Sequence, residues 1–209
     1  MENIWDVYIA IKSLIADKVR NSAPSANNIS YALTMGQLAA IAYYKPLKEA
    51  GDDLAATALA SLIKNINDVS SSTGLLTYPA DWYDTELITE MVNGEMVSYN
   101  TILDTELYEA KRSVLYPIAD SPRYMEVKTG IQLYPETTHL VNLKYLAKPQ
   151  APKIGYTVSG NTEVYDPLTS VQLALNPAYY PKIIQLSLPY IGVNLSDAEI
   201  TSLYNLAKQ

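Results

Sequence analysis

The sequence predicts an α+β protein with an N-terminal helical bundle, central antiparallel β hairpins or sheet, and C-terminal helices. Three observations predict it. Through the first third, apolar residues recur at three- and four-residue spacing. From Ser70-Ser71-Ser72 to about residue 175, Pro and Gly punctuate short β-favouring runs, and two turn dipeptides, Asn93-Gly94 and Gly160-Asn161, are each flanked by such runs. After Asn176-Pro177 the helical spacing returns. The expected organisation is a helical region over 1–69, a β-rich region over 70–175 and C-terminal helices over 176–209. The last is expected to pack on the first as one compact domain.

Each element has a local reason. Ile4, Val7, Tyr8, Ile11, Leu14, Ile15 and Val19 place one apolar stripe on a helix over about 2–20. Asn21–Asn28 is a breaker cluster and reads as a loop. Asn28 or Ser30 is expected to cap a second helix to about Ala50, bent or stopped near Pro46, which lacks an amide donor. Gly51 ends it and Asp52-Asp53 starts a third, with Leu54, Ala58, Leu59, Leu62, Ile63 and Ile66 on one face. Strands are expected at Leu75–Tyr78, Thr89–Val92 and Met96–Tyr99, and a short helix capped by Asp104 or Thr105 through Arg112. Arg123–Lys128 and Ile131–Tyr134 read as strands around a turn at Gly130, followed by Leu140–Leu146. Gly155–Ser159 and Thr162–Tyr165 form the second hairpin, and Val171–Leu175 reads as a last strand. Asn176 caps a helix with Pro177 at its first position, where the missing amide costs little. Ile183, Ile184, Leu186, Leu188 and Ile191 continue it, with a kink at Pro189. Ser196–Glu199 matches a capping box opening a short final helix.

Composition excludes much chemistry. The 209 residues contain no Cys, so disulfides, thiolate metal sites and cysteine nucleophiles are ruled out, and one His leaves few acid–base constellations. Fifteen Lys and Arg against 22 Asp and Glu give a net charge of −7, which argues against holding nucleic acid by phosphate neutralisation. Eighteen Tyr and no Phe mean that almost all large aromatic surface carries a hydroxyl. That is either drift in aromatic usage or a sign of partly wet subunit interfaces. Met1–Arg20 lacks the basic start and cleavage site of a secretory signal, and the most apolar run, Met35–Tyr44, is too short to span a bilayer. A soluble protein, kept in a cytosol-like compartment or assembled into a particle, is expected.

Specific catalytic signals are weak. The eight glycines form no phosphate loop. His139, in Glu136-Thr137-Thr138-His139, reads as a surface or turn residue, and the Glu106/Glu109 pair reads as a solvated helix face in preference to a glycosidase site. No metal or cofactor is expected. The charge distribution says more. From Asn65 through Ala110 there are nine acids and no Lys or Arg; from Lys111 through Lys153 there are seven bases and three acids. Three readings fit: a solvated acidic face, an acidic zone docking the basic zone of a neighbouring copy, or a channel wall that DNA passes without sticking.

The segment Tyr116–Leu206 carries an ordered set of motifs: Tyr116–Ala119 (YPIA), Gly130–Pro135 (GIQLYP), Tyr145–Pro152 (YLAKPQAP), Gly155–Val158 (GYTV), Tyr165–Val171 (YDPLTSV) and Ile191–Glu199 (IGVNLSDAE). Thr77–Trp82 (TYPADW) precedes them. This pattern resembles a structural protein family of crAss-like tailed phages infecting Bacteroidetes, similar to the head-to-tail connector rings between portal and tail. The resemblance implies a virion protein of the neck or tail, assembled in the host cytoplasm, without enzymatic activity. Its partners would be copies of itself in a ring, twelve-fold to match a portal, together with the portal or neighbouring connector and tail proteins. DNA would be only passing cargo, and no membrane would be involved. The candidate assembly or channel surface comprises Asp81, Asp84, Glu86, Glu90 and Glu95 with the hairpin tips Asn93, Gly94, Gly160 and Asn161. The alternative is a tail-associated carbohydrate- or receptor-binding module with a concave aromatic patch around Trp82 or Tyr179-Tyr180.

Overall fold

The computed structural model describes residues 1–16, 24–112, 121–136, 138–160, 162–196, 199–200 and 205. In chain order the elements are α1 (Ile4–Ala16), α2 (Ala26–Glu49), α3 (Asp53–Leu59), β1 (Ile63–Ser70), β2 (Leu75–Thr77), β3 (Trp82–Val92), β4 (Glu95–Ser98) and β5 (Asn100–Thr101). There follow α4 (Asp104–Arg112), β6 (Arg123–Val127), β7 (Gly130–Tyr134), β8 (Leu140–Ala147), β9 (Tyr156–Ser159), β10 (Thr162–Tyr165) and α5 (Tyr180–Ser187). Short 3-10 turns lie at Ala60–Leu62, Pro177–Tyr179 and Leu188–Ile191. The fold is α+β. Residues 1–62 with 149–209 make one compact unit, and 63–148 make another. The division thus falls at 62/63 and 148/149, away from the expected 69/70 and 175/176. A strand already begins at Ile63, and the β9–β10 hairpin folds with the helices.

In the first unit, α1 opens with a reciprocal cap. Asn3 Oδ1 accepts from the amides of Trp5 and Asp6, while Asp6 Oδ2 accepts from those of Glu2 and Asn3. Ile4, Val7, Tyr8, Ile11 and Ile15 are buried as the spacing predicts. Residues 17–20 of that predicted helix, and 21–23 of the predicted loop, lie outside the described residues. The cap of α2 is Ser25, not Asn28 or Ser30; its Oγ accepts from the Asn28 amide, so the helix starts one turn earlier than expected. Pro46 does not stop α2, which continues to Glu49. The acceptor that proline leaves, the Ala42 carbonyl, belongs to an exposed residue. Gly36 lets α5 approach closely, since a Cβ there would stand 1.9 Å from Ser187 Oγ and 2.8 Å from the Ile183 carbonyl oxygen. Asp52 caps α3 as expected.

The predicted third helix is corrected beyond Leu59. Ile63, Ile66 and Val69 satisfy helical spacing poorly once β-branching and Asn65 and Asn67 are weighed, and they pair instead with Leu146, Leu143 and Val141 of β8. The second unit is two packed sheets, ordered β1-β8-β3-β4 and β2-β7-β6-β5. Leu76, Ile88, Tyr99, Ile131, Leu133, Val141, Leu143, Tyr145 and Ala147 from both sheets fill its core. The pairing is antiparallel except for β5 with β6. Val171–Leu175 is also corrected: it contributes one bridge, Val171 to Lys153, and no strand. Its Leu173 and Leu175 are buried, but the Ala174 amide donates to Oε1 of the buried Gln37 at 2.7 Å. Pro177 and Asn176 behave as expected, with Asn176 Oδ1 accepting from the Ala178 amide. At Ser196 the backbone amide donates to Glu199 Oε2; Asp197, Ala198 and most of the predicted final helix lie outside the described residues.

Candidate assembly surface

The β3–β4 hairpin turns through Asn93 (φ 55°) and Gly94 (φ 87°), two consecutive left-handed residues that match the twist of the flanking strands. From that turn the register follows: Val92 faces Glu95, Met91 faces Met96, Glu90 faces Val97, and Thr89 faces Ser98. Glu90 also faces Val141 of β8. Side chains alternate between faces, so Glu90, Val97 and Val141 point inward, and Met91 and Met96 point outward. Carrying the β3–β8 register one step beyond Glu90 sets Leu140 opposite Met91. Leu140, Met91 and Met96 therefore form one row across three strands, and they are 56%, 57% and 67% exposed. Two rows along the same face, Leu87 (42% exposed) faces Lys144.

The acids of the expected surface do not form one free face. The Asp81 carboxylate is held by Lys64 and by the Tyr145 hydroxyl at 3.0 Å. The Lys64 hydrogen bond, reinforced by Tyr145, keeps Asp81 below its ordinary value. Asp84 and Glu86 stand half-buried on β3, and Glu95 is exposed beside the turn. Glu90 faces inward. Its Oε2 accepts from the Tyr99 hydroxyl and lies 3.0 Å from Nδ1 of His139. Burial, and then the adjoining Glu90 carboxylate, push the Tyr99 hydroxyl far above its ordinary value, which keeps it a donor.

His139 is a correction to the sequence reading. It is buried, 8% exposed, because β8 begins at the next residue and carries it between the sheets. Its Nε2 donates to the Pro135 carbonyl at 2.7 Å. The Ser71 hydroxyl accepts from the His139 backbone amide and not from the ring, so these residues tie loops together without forming a nucleophile–base pair. Glu106 Oε2 accepts from the Leu103 amide at the start of α4, and the Glu109 side chain lies outside the described residues.

The second hairpin, β9–β10, turns at Gly160 (φ 62°); Asn161 lies outside the described residues. One end of the ribbon is anchored on α1. Tyr165 stacks on Trp5 at 5.5 Å, and Glu163 accepts from Tyr8 and Lys12 at 2.9 and 2.8 Å. Those bonds, Lys12 first, hold Glu163 below its ordinary value. Val158 and Val164 stay exposed. Two motif segments meet at the base of this ribbon. The Gly155 amide donates to Ser170 Oγ, and Asp166 accepts from Thr169 Oγ1 and the Leu168 amide. A Cβ at Gly155 would stand 2.3 Å from Thr169 Oγ1. In Thr77–Trp82, Tyr78 stacks on Trp82 at 4.0 Å and donates to the Val127 carbonyl. Tyr116–Ala119 lies outside the described residues.

Sequence reasoning missed an aromatic hollow in the first unit, of about 240 Å³, lined by Tyr43, Tyr44, Leu47, Asp52, Leu54, Ala55, Tyr179 and Lys182. Of its aromatic lining the sequence points to Tyr179, and the Tyr43-Tyr44 pair one helical turn from Leu47 is the further signal in the chain. The Lys182 ammonium sits 4.1 Å over the Tyr43 ring. Among the described residues, no cluster of three or more His, Asp or Glu is placed to hold a metal, and no helix is long and apolar enough to cross a membrane. In comparison with known proteins, no family model matches this sequence and no curated protein matches it.

Proposed function

We propose that this chain is a structural virion protein forming a ring of a phage head-to-tail connector, between portal and tail, around the channel through which DNA passes. The observation that carries this reading is the exposed row Leu140, Met91 and Met96 beside a Gly-tipped hairpin. Contiguous exposed apolar side chains on a sheet face that reaches the open edge strand are stabilised by burial against another chain. The ordered motifs of Tyr116–Leu206 support the same reading. In the Tyr165–Val171 motif, Asp166, Thr169 and Ser170 are spent on local turns and loop ties. Copies of the chain in a twelve-fold ring, the portal and adjoining connector or tail proteins are the partners, and the role is mechanical, with no reaction. Imaging native particles that carry this chain with a label tests it. Density in a collar beneath the capsid is the expected result, and label on peripheral fibres overturns it.

One observation favours a second reading, a tail-associated carbohydrate- or receptor-binding module: the hollow bounded by Tyr43, Tyr44 and Tyr179. Binding of a soluble glycan that is lost in Tyr179→Ala would establish it. Against it, Lys182 already occupies one face of Tyr43, and Trp82 has one face stacked on Tyr78.

A further inference from the structure

We propose that the open edge of β4 is the seat of a second copy of this chain, docked head to tail so that the acidic β3–β4 hairpin meets the basic stretch 111–153 of its neighbour. This inference rests on the ring reading and names its contact surface.

The first argument is the edge itself. The sheet ordered β1-β8-β3-β4 has two outer strands, and they differ. β1 is bulged between Ile66 and Val69, with Asp68 at φ 56°, and it carries Lys64 and Asp68, the features that blunt an edge against pairing. β4 reads Glu95-Met96-Val97-Ser98, with neither bulge, proline nor lysine. In a two-residue hairpin the closing pair, Val92 and Glu95, exchanges hydrogen bonds, and so by alternation does Glu90 with Val97. The Tyr99 amide donating to the Ile88 carbonyl continues that alternation. Met96 and Ser98 therefore direct their N–H and C=O groups away from β3, where no backbone bond among the described residues receives them. The exposed row Leu140, Met91 and Met96 adjoins these groups.

The second argument is charge. Residues 82–98 carry no Lys or Arg; with Glu90 turned inward, the acids on the hairpin's surface are Glu95, exposed beside the turn, and the half-buried Asp84 and Glu86. Two such hairpins repel, which disfavours pairing β4 with its own copy about a two-fold axis. The stretch 111–153 carries seven bases against three acids, and within it Lys128, in the link between β6 and β7, and Lys148 are exposed. Contact between two different surfaces is heterologous, the kind that closes into a ring when its rotation permits.

Photo-crosslinking at position 96 of the full chain tests this. Isotopically light and heavy chains are mixed at about 1 mM, where even a weak neighbour contact is populated. Products joining position 96 to a peptide within 111–153 of the other isotope are expected, and Glu95→Lys should reduce them about fivefold. Products joining position 96 to residues 90–98, or to any other part of a second copy, overturn the docking geometry while leaving self-association intact. The absence of inter-copy products overturns the inference outright, and the ring reading is then judged separately by the particle imaging.

Discussion

Nδ1 of His139 lies 3.0 Å from the carboxylate of Glu90, although 49 residues separate them in the chain. The pair joins the loop after β7 to the last residues of β3 before the turn, and Tyr99 completes it from the end of the hairpin. Pro135 contributes a carbonyl that only accepts, so Nε2 carries a proton.

His139→Leu is expected to destabilise the protein by about 2–4 kcal/mol, because it leaves the Pro135 carbonyl without its donor and the inward-facing Glu90 carboxylate with Tyr99 as its one remaining partner among the described residues. Tyr99→Phe removes one donor and leaves the histidine in place, so about 1 kcal/mol is expected. Urea unfolding of the two variants measures both. Equal, small losses would mean that the cluster is solvated and contributes little.

Gly94→Ala should cost about 1 kcal/mol. A Cβ there meets nothing within 4 Å, so the cost is the left-handed backbone alone. Gly36→Ala should cost more, about 2–3 kcal/mol, because its Cβ runs into Ser187 and the α5 backbone. Gly36→Ala combined with Ser187→Gly should recover part of that loss. Denaturation midpoints at constant slope give the ranking, and a Gly94→Ala loss exceeding that of Gly36→Ala would contradict it.

Acid should weaken the anchoring of the β9–β10 ribbon. Glu163 titrates below its ordinary 4.5 in the folded state. Its stabilisation is therefore complete above that ordinary value and is lost as pH falls through the depressed one. Lys12 is raised by the same bond, so its share is complete below 10.5 and is lost as pH rises through its raised value. Both side chains are about one-third exposed, so the pair contributes below about 1 kcal/mol. Glu163→Gln should flatten the acid side of the stability–pH curve below pH 4.5 by that small amount. An unchanged slope would show that solvent screens the pair completely.

Asp81→Asn should lower stability modestly at pH 7 and have no effect below the acid titration. Asp81 is depressed by Lys64 and Tyr145, so its share is complete above the ordinary value of 3.8 and is lost as pH falls through the lowered one. Comparing wild-type and variant melting temperatures at pH 7 and pH 2.5 checks the sign. A difference that persists at pH 2.5 would mean that packing, not charge, is at work.

Local chemistry was legible in the chain. Asn93-Gly94, the Asp52 cap and the Asn176-Pro177 start are each decided within four residues, by left-handed tolerance or by a side chain reaching its own backbone. The alternating Leu140–Leu146 run was legible too, because one face is buried and the period is two. The aromatic hollow was not, since Tyr43, Tyr44 and Tyr179 come together only when α5 packs near the end of α2.

By itself, then, the sequence determined the α+β class, both hairpins, most helix starts and the opposed acidic and basic stretches. Only the tertiary structure decided that Ile63–Ser70 is a strand, that His139 is buried against Glu90, and that Met91, Met96 and Leu140 stand in one exposed row. Each of those outcomes depends on pairing with β8, a strand distant in sequence from β1 and β3. Burial and facing are set by such partners, and no local propensity encodes which partner a strand will find.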